Sequence, residues 1–108
     1  MSYKVNTTAN FNKEAKRLSR KYRSLKSEIA SLISQLEDNP TTGVHLGDNI
    51  YKIRMAIASK GKGKRGGARV MSYIRVIEET VYLFSIYSKG DKEDISDEEI
   101  KELIKDLQ

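Results

Sequence analysis

Twenty lysines and arginines against a single histidine and no cysteine set the chemistry this chain can attempt. Lys52 and Arg54 sit two residues apart in the alternating stretch from Ile50 to Ile57, and so share one face if it is a strand. Arg69 and Arg75 share a face of a second such stretch, Ala68 to Ile77, with Met71 and Tyr73 between them. Lys89 and Lys92 follow a third. Lys62, Lys64 and Arg65 lie in the Gly/Lys-rich connection between the first two. Cations gathered in this way suit phosphate: a planar guanidinium grips two oxygens at once, while an ammonium acts as a point charge. Lysine can also move a proton, which suits Lys52 or Lys89 to that task. Tyr73 and Tyr87 offer rings on which a base can stack.

Other chemistries lack their residues. His45 stands alone, so neither a histidine metal site nor a two-histidine ribonuclease mechanism is available. Without cysteine there is no disulfide, thiolate metal site or thiol nucleophile. No Gly-x-Ser-x-Gly elbow is present. The run Gly61-Lys62-Gly63-Lys64-Arg65-Gly66-Gly67 lacks the Gly-Lys-Ser/Thr ending of a nucleotide-triphosphate loop and leads into a strand rather than a helix. No metal and no cofactor is expected, and His45 reads as a loop or strand-edge residue without a functional role.

The elements that must hold these cations follow from periodicity. Tyr3-Lys4-Val5 reads as a short strand, and Asn6-Thr7-Thr8 supplies capping side chains for a helix. Phe11, Ala15, Leu18 and Tyr22 recur at helical spacing, and Leu25, Ile29, Leu32, Ile33 and Leu36 form a second helical stripe that ends before Asn39-Pro40. The period then changes to that of strands. Glu78-Glu79 marks a turn, and Val81 to Ser88 is the nearly continuous apolar run of a central strand. Ser96 with Glu99 forms a capping box ahead of Ile100, Leu103, Ile104 and Leu107. The expected fold is α+β: an N-terminal strand, an antiparallel helix pair, a three-stranded antiparallel meander forming a twisted sheet, and a C-terminal helix, with the helices on one face of the sheet. Residues 1–108 suit one domain.

Charge is distributed unevenly. Residues 1–75 carry a net +11 and residues 76–108 a net −6. A basic body followed by an acidic segment suits a polyanion partner. The basic stretches lack the broad apolar face of an interfacial helix, no apolar run approaches the ~20 residues of a membrane span, and the first residues lack a secretory signal's apolar core. A cytoplasmic location, away from membranes, is the expectation. By composition alone, a cationic sheet face that binds RNA and one that is merely solvated remain equal readings.

Three segments resemble the RelE/HigB-like toxin family in order and spacing. Ile50-Tyr51-Lys52-Ile53-Arg54 resembles its strand of alternating basic and apolar residues. Lys64-Arg65-Gly66-Gly67-Ala68-Arg69-Val70 resembles its Gly-Gly-Ala-Arg-Val entry to the next strand. Tyr87-Ser88-Lys89-Gly90-Asp91-Lys92-Glu93-Asp94-Ile95-Ser96 closely resembles the Tyr-x-Lys-x-x-Lys-x-Asp-Leu-Ser/Thr signature of HigB-like members. The resemblance implies a RelE-like fold and a type II toxin restrained by a cognate antitoxin from an adjacent gene. It also implies a metal-independent endoribonuclease, an mRNA interferase, that cuts mRNA in the 30S A site of the ribosome. The family's basic positions carry over to Lys52 or Arg54, to Arg69, and to Lys89 or Lys92. Arg69 is expected on the phosphorane oxygens and on an exposed sheet face, with Lys52 and Arg54 on flanking phosphates. Lys62, Lys64, Arg65, Tyr73, Arg75 and Tyr87 are expected to bind RNA. One departure stands out: the family prototype has an arginine after its last strand and a tyrosine shortly beyond, whereas Lys89 to Ser96 contains neither. Two other functions fit the same features: a ParE-like gyrase inhibitor without nuclease activity, and a non-catalytic RNA-binding module.

Overall fold

The computed structural model describes residues 2–108; Met1, the first residue of the expected 1–108 domain, lies outside them. Strand β1 (Lys4–Thr7) leads into α1 (Ala9–Lys21), whose first turn is capped by Thr8 as its hydroxyl accepts from the Phe11 amide at 3.2 Å. Helix α2 (Leu25–Asp38) follows after a three-residue connection and stops ahead of Asn39-Pro40. Phe11 and Leu18 of α1, and Leu25, Leu32 and Leu36 of α2, are buried together. Each such side chain stabilises the fold by roughly 1.5–3 kcal/mol.

The sheet has five strands in the order β1-β5-β4-β3-β2: β2 (Val44–Gly47), β3 (Ile50–Met55), β4 (Ala68–Arg75) and β5 (Thr80–Ser88) complete it. β1 pairs parallel with β5, and the other pairings are antiparallel. The expected three-stranded meander is therefore extended by β2, a strand that periodicity does not predict. Val44-His45-Leu46-Gly47 is too short for periodicity to register, and the turn that joins it to β3 is Asp48-Asn49 rather than Asn-Gly. Both turn residues have positive φ, 52° and 63°, as a type I′ hairpin requires. His45 lies on this edge strand, stacked on Tyr51 with ring centroids 4.8 Å apart.

The helices occupy both faces of the sheet, which corrects the one-face expectation. α1 and α2 cover Ile53, Met55, Val70, Ile74, Val81 and Leu83. Helix α3 (Asp97–Ile104) lays Ile100 and Ile104, with Ile95, over Ile50, Met71, Phe84 and Tyr87 on the opposite side. A helical stripe states that a helix has an apolar face, but not which side of a sheet receives it.

A bulge in β5 sorts its side chains between these layers. The β4–β5 register shifts between Met71 and Ser72, so Ser85 and Ile86 both turn toward α1 while Phe84 and Tyr87 turn toward α3. Such a bulge removes an amide from its ladder. Here the Ile86 amide donates to the Glu14 carboxylate at 3.2 Å, and the same oxygen accepts from Ser85 Oγ and Asn10 Nδ2, each at 2.9 Å.

Candidate functional site

Three side chains stand in one row across the sheet. Arg54 of β3 is the register partner of Arg69 on β4, and Arg69 is the partner of Tyr87 on β5. Direct antiparallel partners point to the same face with Cβ atoms ~5 Å apart. Tyr87 belongs to the cluster under α3, so this row lies at the rim of the layer that α3 covers.

The three members differ in environment. Arg54 is exposed. Arg69 is only 5% exposed, contrary to the open position expected for it. Its guanidinium curls back on its own loop: Nη1 donates to the carbonyls of Lys64 (3.0 Å) and Ala68 (3.2 Å), and Nη2 to that of Arg65 (3.2 Å). Lys64 and Arg65 are exposed, so Arg69 ties down the segment that presents their charges. That segment also needs Gly67, because a Cβ there would lie 2.2 Å from the Met55 carbonyl oxygen.

Tyr87 is buried, and its hydroxyl donates to Asp94 Oδ1 at 3.3 Å. Burial first, then the Asp94 charge and hydrogen bond, push the phenol up to about 12; the nearby Arg69 charge opposes them. At neutral pH Tyr87 is thus a hydrogen-bond donor and not a base.

Lys52 is half-buried, with Nζ 3.4 Å from Asp94 Oδ1. Asp94 also accepts from the Ile95 amide at 2.9 Å. That backbone bond, with Lys52 and Tyr87, outweighs burial and holds the carboxyl below its usual range. Lys92 lies 5.6 Å above the Tyr87 ring and pairs with Glu99 Oε2. Glu99 is also the third residue after the α3 cap, where its amide donates to Ser96 Oγ at 3.1 Å. Lys89 is half-buried, its amide donating to the Gly67 carbonyl at 3.0 Å. Lys62 is exposed on the loop.

Two expected residues lie elsewhere. Arg75 is at the other end of β4 from Arg69, about 20 Å away along an extended strand, and pairs with Glu78 at 3.4 Å. Tyr73 shares the face but packs against the apolar cluster beneath α3, opposite Ile50 and Tyr82. Sharing a face placed both with Arg69, but β4 is long enough to hold its two ends apart.

Sequence reading gave no role to two neighbours of the site. Asp94 appeared only as part of a motif. Lys60, from the 3₁₀ turn Ala58–Lys60, reaches Ser88 Oγ at 2.8 Å and lies 5.7 Å from the centre of the Tyr22 ring. Its position inside a Gly/Lys-rich run concealed this, since nothing local distinguishes it from Lys62 or Lys64. Among the described residues, no cluster of three or more His, Cys, Asp or Glu side chains has the arrangement to hold a metal ion. Among them also, no helix is long and apolar enough to cross a membrane.

A sequence model of the family described as the RelE toxin of the RelE/RelB toxin–antitoxin system matches residues 3–107. The chain belongs to this family. Solved structures agree on the RelE-like fold at low identity. A doubly substituted Escherichia coli toxin RelE in the free state is 15% identical, with TM-score 0.65 and full coverage of both chains. The isolated E. coli RelE toxin is 14% identical, with TM-score 0.61 over 99% of this chain and 100% of that one. A toxin–antitoxin complex RelBE2 from Mycobacterium tuberculosis contributes a chain 17% identical, with TM-score 0.59 over 84% of this chain and 95% of that one. In this RelE-family chain the sheet brings Arg54, Arg69 and Tyr87 into one row and pairs Lys52 with Asp94.

Proposed function

We propose that this RelE-family toxin is a metal-independent endoribonuclease that cuts messenger RNA on the ribosome in the cytoplasm, and that a cognate antitoxin restrains it. The observation that carries this reading is the row Arg54–Arg69–Tyr87 with Lys52 alongside: cations and a phenol donor on one sheet face, beside the exposed Lys62, Lys64 and Arg65.

RNA supplies its own nucleophile. The 2′-oxygen forms a bond to the adjacent phosphorus as the bond to the 5′-oxygen breaks, leaving a 2′,3′-cyclic phosphate and a 5′-hydroxyl. The 2′ proton passes to solvent water, and the 5′-oxygen gains one as its bond to phosphorus breaks. The protein's task is to align the attack and stabilise the charge on the phosphorane. Arg54, with its guanidinium exposed, is the phosphate clamp in this reading. Arg69 takes a different part from the one first expected, because three of its N–H groups are committed to backbone carbonyls. It anchors the loop that brings Lys64 and Arg65 to the RNA backbone. Tyr87 supplies a proton or hydrogen bond to a developing oxyanion, and Lys52 supplies positive charge. Lys89 and Lys92 extend the cationic track. The ribosome supplies the messenger already threaded and stretched, so the toxin needs few base contacts of its own.

The test incubates purified chain with translating ribosomes, and separately with free RNA, in the presence of EDTA. New ends inside coding regions bearing 5′-hydroxyl and 2′,3′-cyclic phosphate are expected. In cells, expression should arrest growth, and co-expression of the neighbouring gene's product should relieve it. Growth arrest with intact transcripts and gyrase-linked DNA breaks would replace this reading with a gyrase inhibitor.

A further inference from the structure

Among the described residues, Asp94 is the one acidic side chain that joins two of the proposed site's working groups. A single oxygen, Oδ1, accepts from Tyr87 Oη at 3.3 Å, Lys52 Nζ at 3.4 Å and its neighbour's Ile95 amide at 2.9 Å. The three donors come from β5, β3 and the segment before α3. The Ile95 amide ties the carboxylate to the backbone beside a residue buried beneath α3, although the Asp94 side chain itself is exposed.

We propose that Asp94 is a positioning residue of the RNA-cleaving site, whose carboxylate holds the Tyr87 hydroxyl and the Lys52 ammonium side by side for the reacting phosphate. The proposal rests on the nuclease reading above. A lysine ammonium on four methylenes samples many rotamers, and a phenol hydroxyl rotates freely; tethering both to one fixed oxygen removes that freedom before RNA arrives. Lys52 keeps N–H groups to spare for the phosphate, whereas the single Tyr87 hydrogen swings from Asp94 to a phosphate oxygen as charge develops there, a rotation about one bond from a defined start. Asp94 thus acts through its partners, and its own side chain need not touch the substrate.

The charges around Tyr87 make the contribution separable. Arg69 faces it from β4, Lys92 from the loop after β5, Glu99 from α3, and Asp94 from the segment between. Of these only Asp94 hydrogen-bonds the hydroxyl. Removing Asp94 should therefore ease Tyr87 ionisation while the burial of its ring persists.

The experiment pairs single-turnover RNA cleavage with an NMR titration of ¹³Cζ-labelled tyrosine in the RNA-free protein, the Tyr87 signal being assigned by its loss in Tyr87→Phe. Asp94→Ala is expected to lower the rate at saturating RNA by roughly 10–100-fold, with RNA affinity changed far less. The Tyr87 titration should move down from its raised position. Asp94→Asn keeps an acceptor but not the charge, and should fall between. In a chain carrying Tyr87→Phe and Lys52→Ala, adding Asp94→Ala should cost little more. An unchanged rate in folded Asp94→Ala overturns the proposal. Tighter RNA binding with an unchanged or faster rate also overturns it, because Asp94 would then only occupy the phosphate's place. If the natural chain leaves RNA intact, the nuclease reading falls and this proposal with it; if it cleaves and Asp94→Ala is indifferent, the proposal falls alone.

Discussion

Arg54 and Arg69 are direct register partners on β3 and β4, so two like-charged side chains leave the sheet at adjacent points of the same face. Directly opposed like charges destabilise a sheet. The structure relieves this by sending them apart: Arg69 folds back onto backbone carbonyls and is buried, while Arg54 stays in solvent. One arginine is thereby fixed in the structure and the other is left available to a phosphate.

Replacing Arg54 should consequently separate function from stability. Arg54→Gln removes a repulsion and no intramolecular hydrogen bond, so its melting temperature should equal or slightly exceed that of the natural chain. Its cleavage rate should fall ~10²–10³-fold, as for the loss of one well-placed charge-stabilising donor. Calorimetry and a cleavage assay on the same preparation check both parts.

Arg69→Ala should behave in the opposite sense. It removes the guanidinium donor from the carbonyls of Lys64, Arg65 and Ala68, of which Lys64 keeps the Gly67 amide, and this should cost about 2–3 kcal/mol and lower Tm by on the order of 10 °C. Toxicity should fall as well, because the segment carrying Lys64 and Arg65 loses its anchor. A variant as stable as the natural chain would contradict the clasp described here.

Glycine substitutions should divide sharply within the same loop. At Gly67 an added Cβ would meet the Met55 carbonyl oxygen at 2.2 Å and the Ala56 Cα at 3.0 Å, so the backbone must shift. Gly67→Ala should therefore cost several kcal/mol, on the order of 3 or more. At Gly61 the added atom meets open space, and only the left-handed φ of 75° opposes it. Gly61→Ala should cost about 1 kcal/mol. Urea denaturation of the two variants measures the difference.

The Tyr87 phenol predicts an alkaline transition. Its folded-state value of about 12 lies above its unfolded one of 10.0, so the unfolded chain ionises first as pH rises. Stability should be steady below about pH 10 and be lost between about pH 10 and 12, by ~2–3 kcal/mol. Tyr87→Phe should flatten that part of the stability profile. Asp94 shifts the other way, so the stability tied to its ionised form is present above the ordinary carboxylate range and fades as acid protonates it.

Much of the fold was legible because its signals are periodic. α1, α2 and α3 announce themselves through Phe11, Leu18, Leu32, Leu36, Ile100 and Ile104, and β5 through its apolar run. What escaped was set by tertiary contact. The four residues of β2 carry no period of their own, and the face chosen by α3 depends on Phe84 and Tyr87 being turned to it by a bulge. The cations of the site were legible as types and as a shared face. Their states were not, since Arg69 is buried by a rotamer and Lys52 is paired with a residue 42 positions away. The distance between Arg69 and Arg75 was implicit in strand length, but a shared face by itself says nothing of position along the strand.

The parallel pairing of β1 with β5 also governs how the chain is made. Lys4 to Thr7 finds its partners at Thr80 to Leu83, so β1 waits for a strand made much later in the chain. Contacts this distant in sequence carry the closure entropy of a long loop and form late. Chains emerge at ~5–20 residues per second, so the waiting period lasts seconds. A nascent fragment that stops short of β5 has neither the closing strand of its sheet nor Tyr87. Synthesis interrupted ahead of β5 would thus yield pieces in which the Arg54–Arg69–Tyr87 row cannot form.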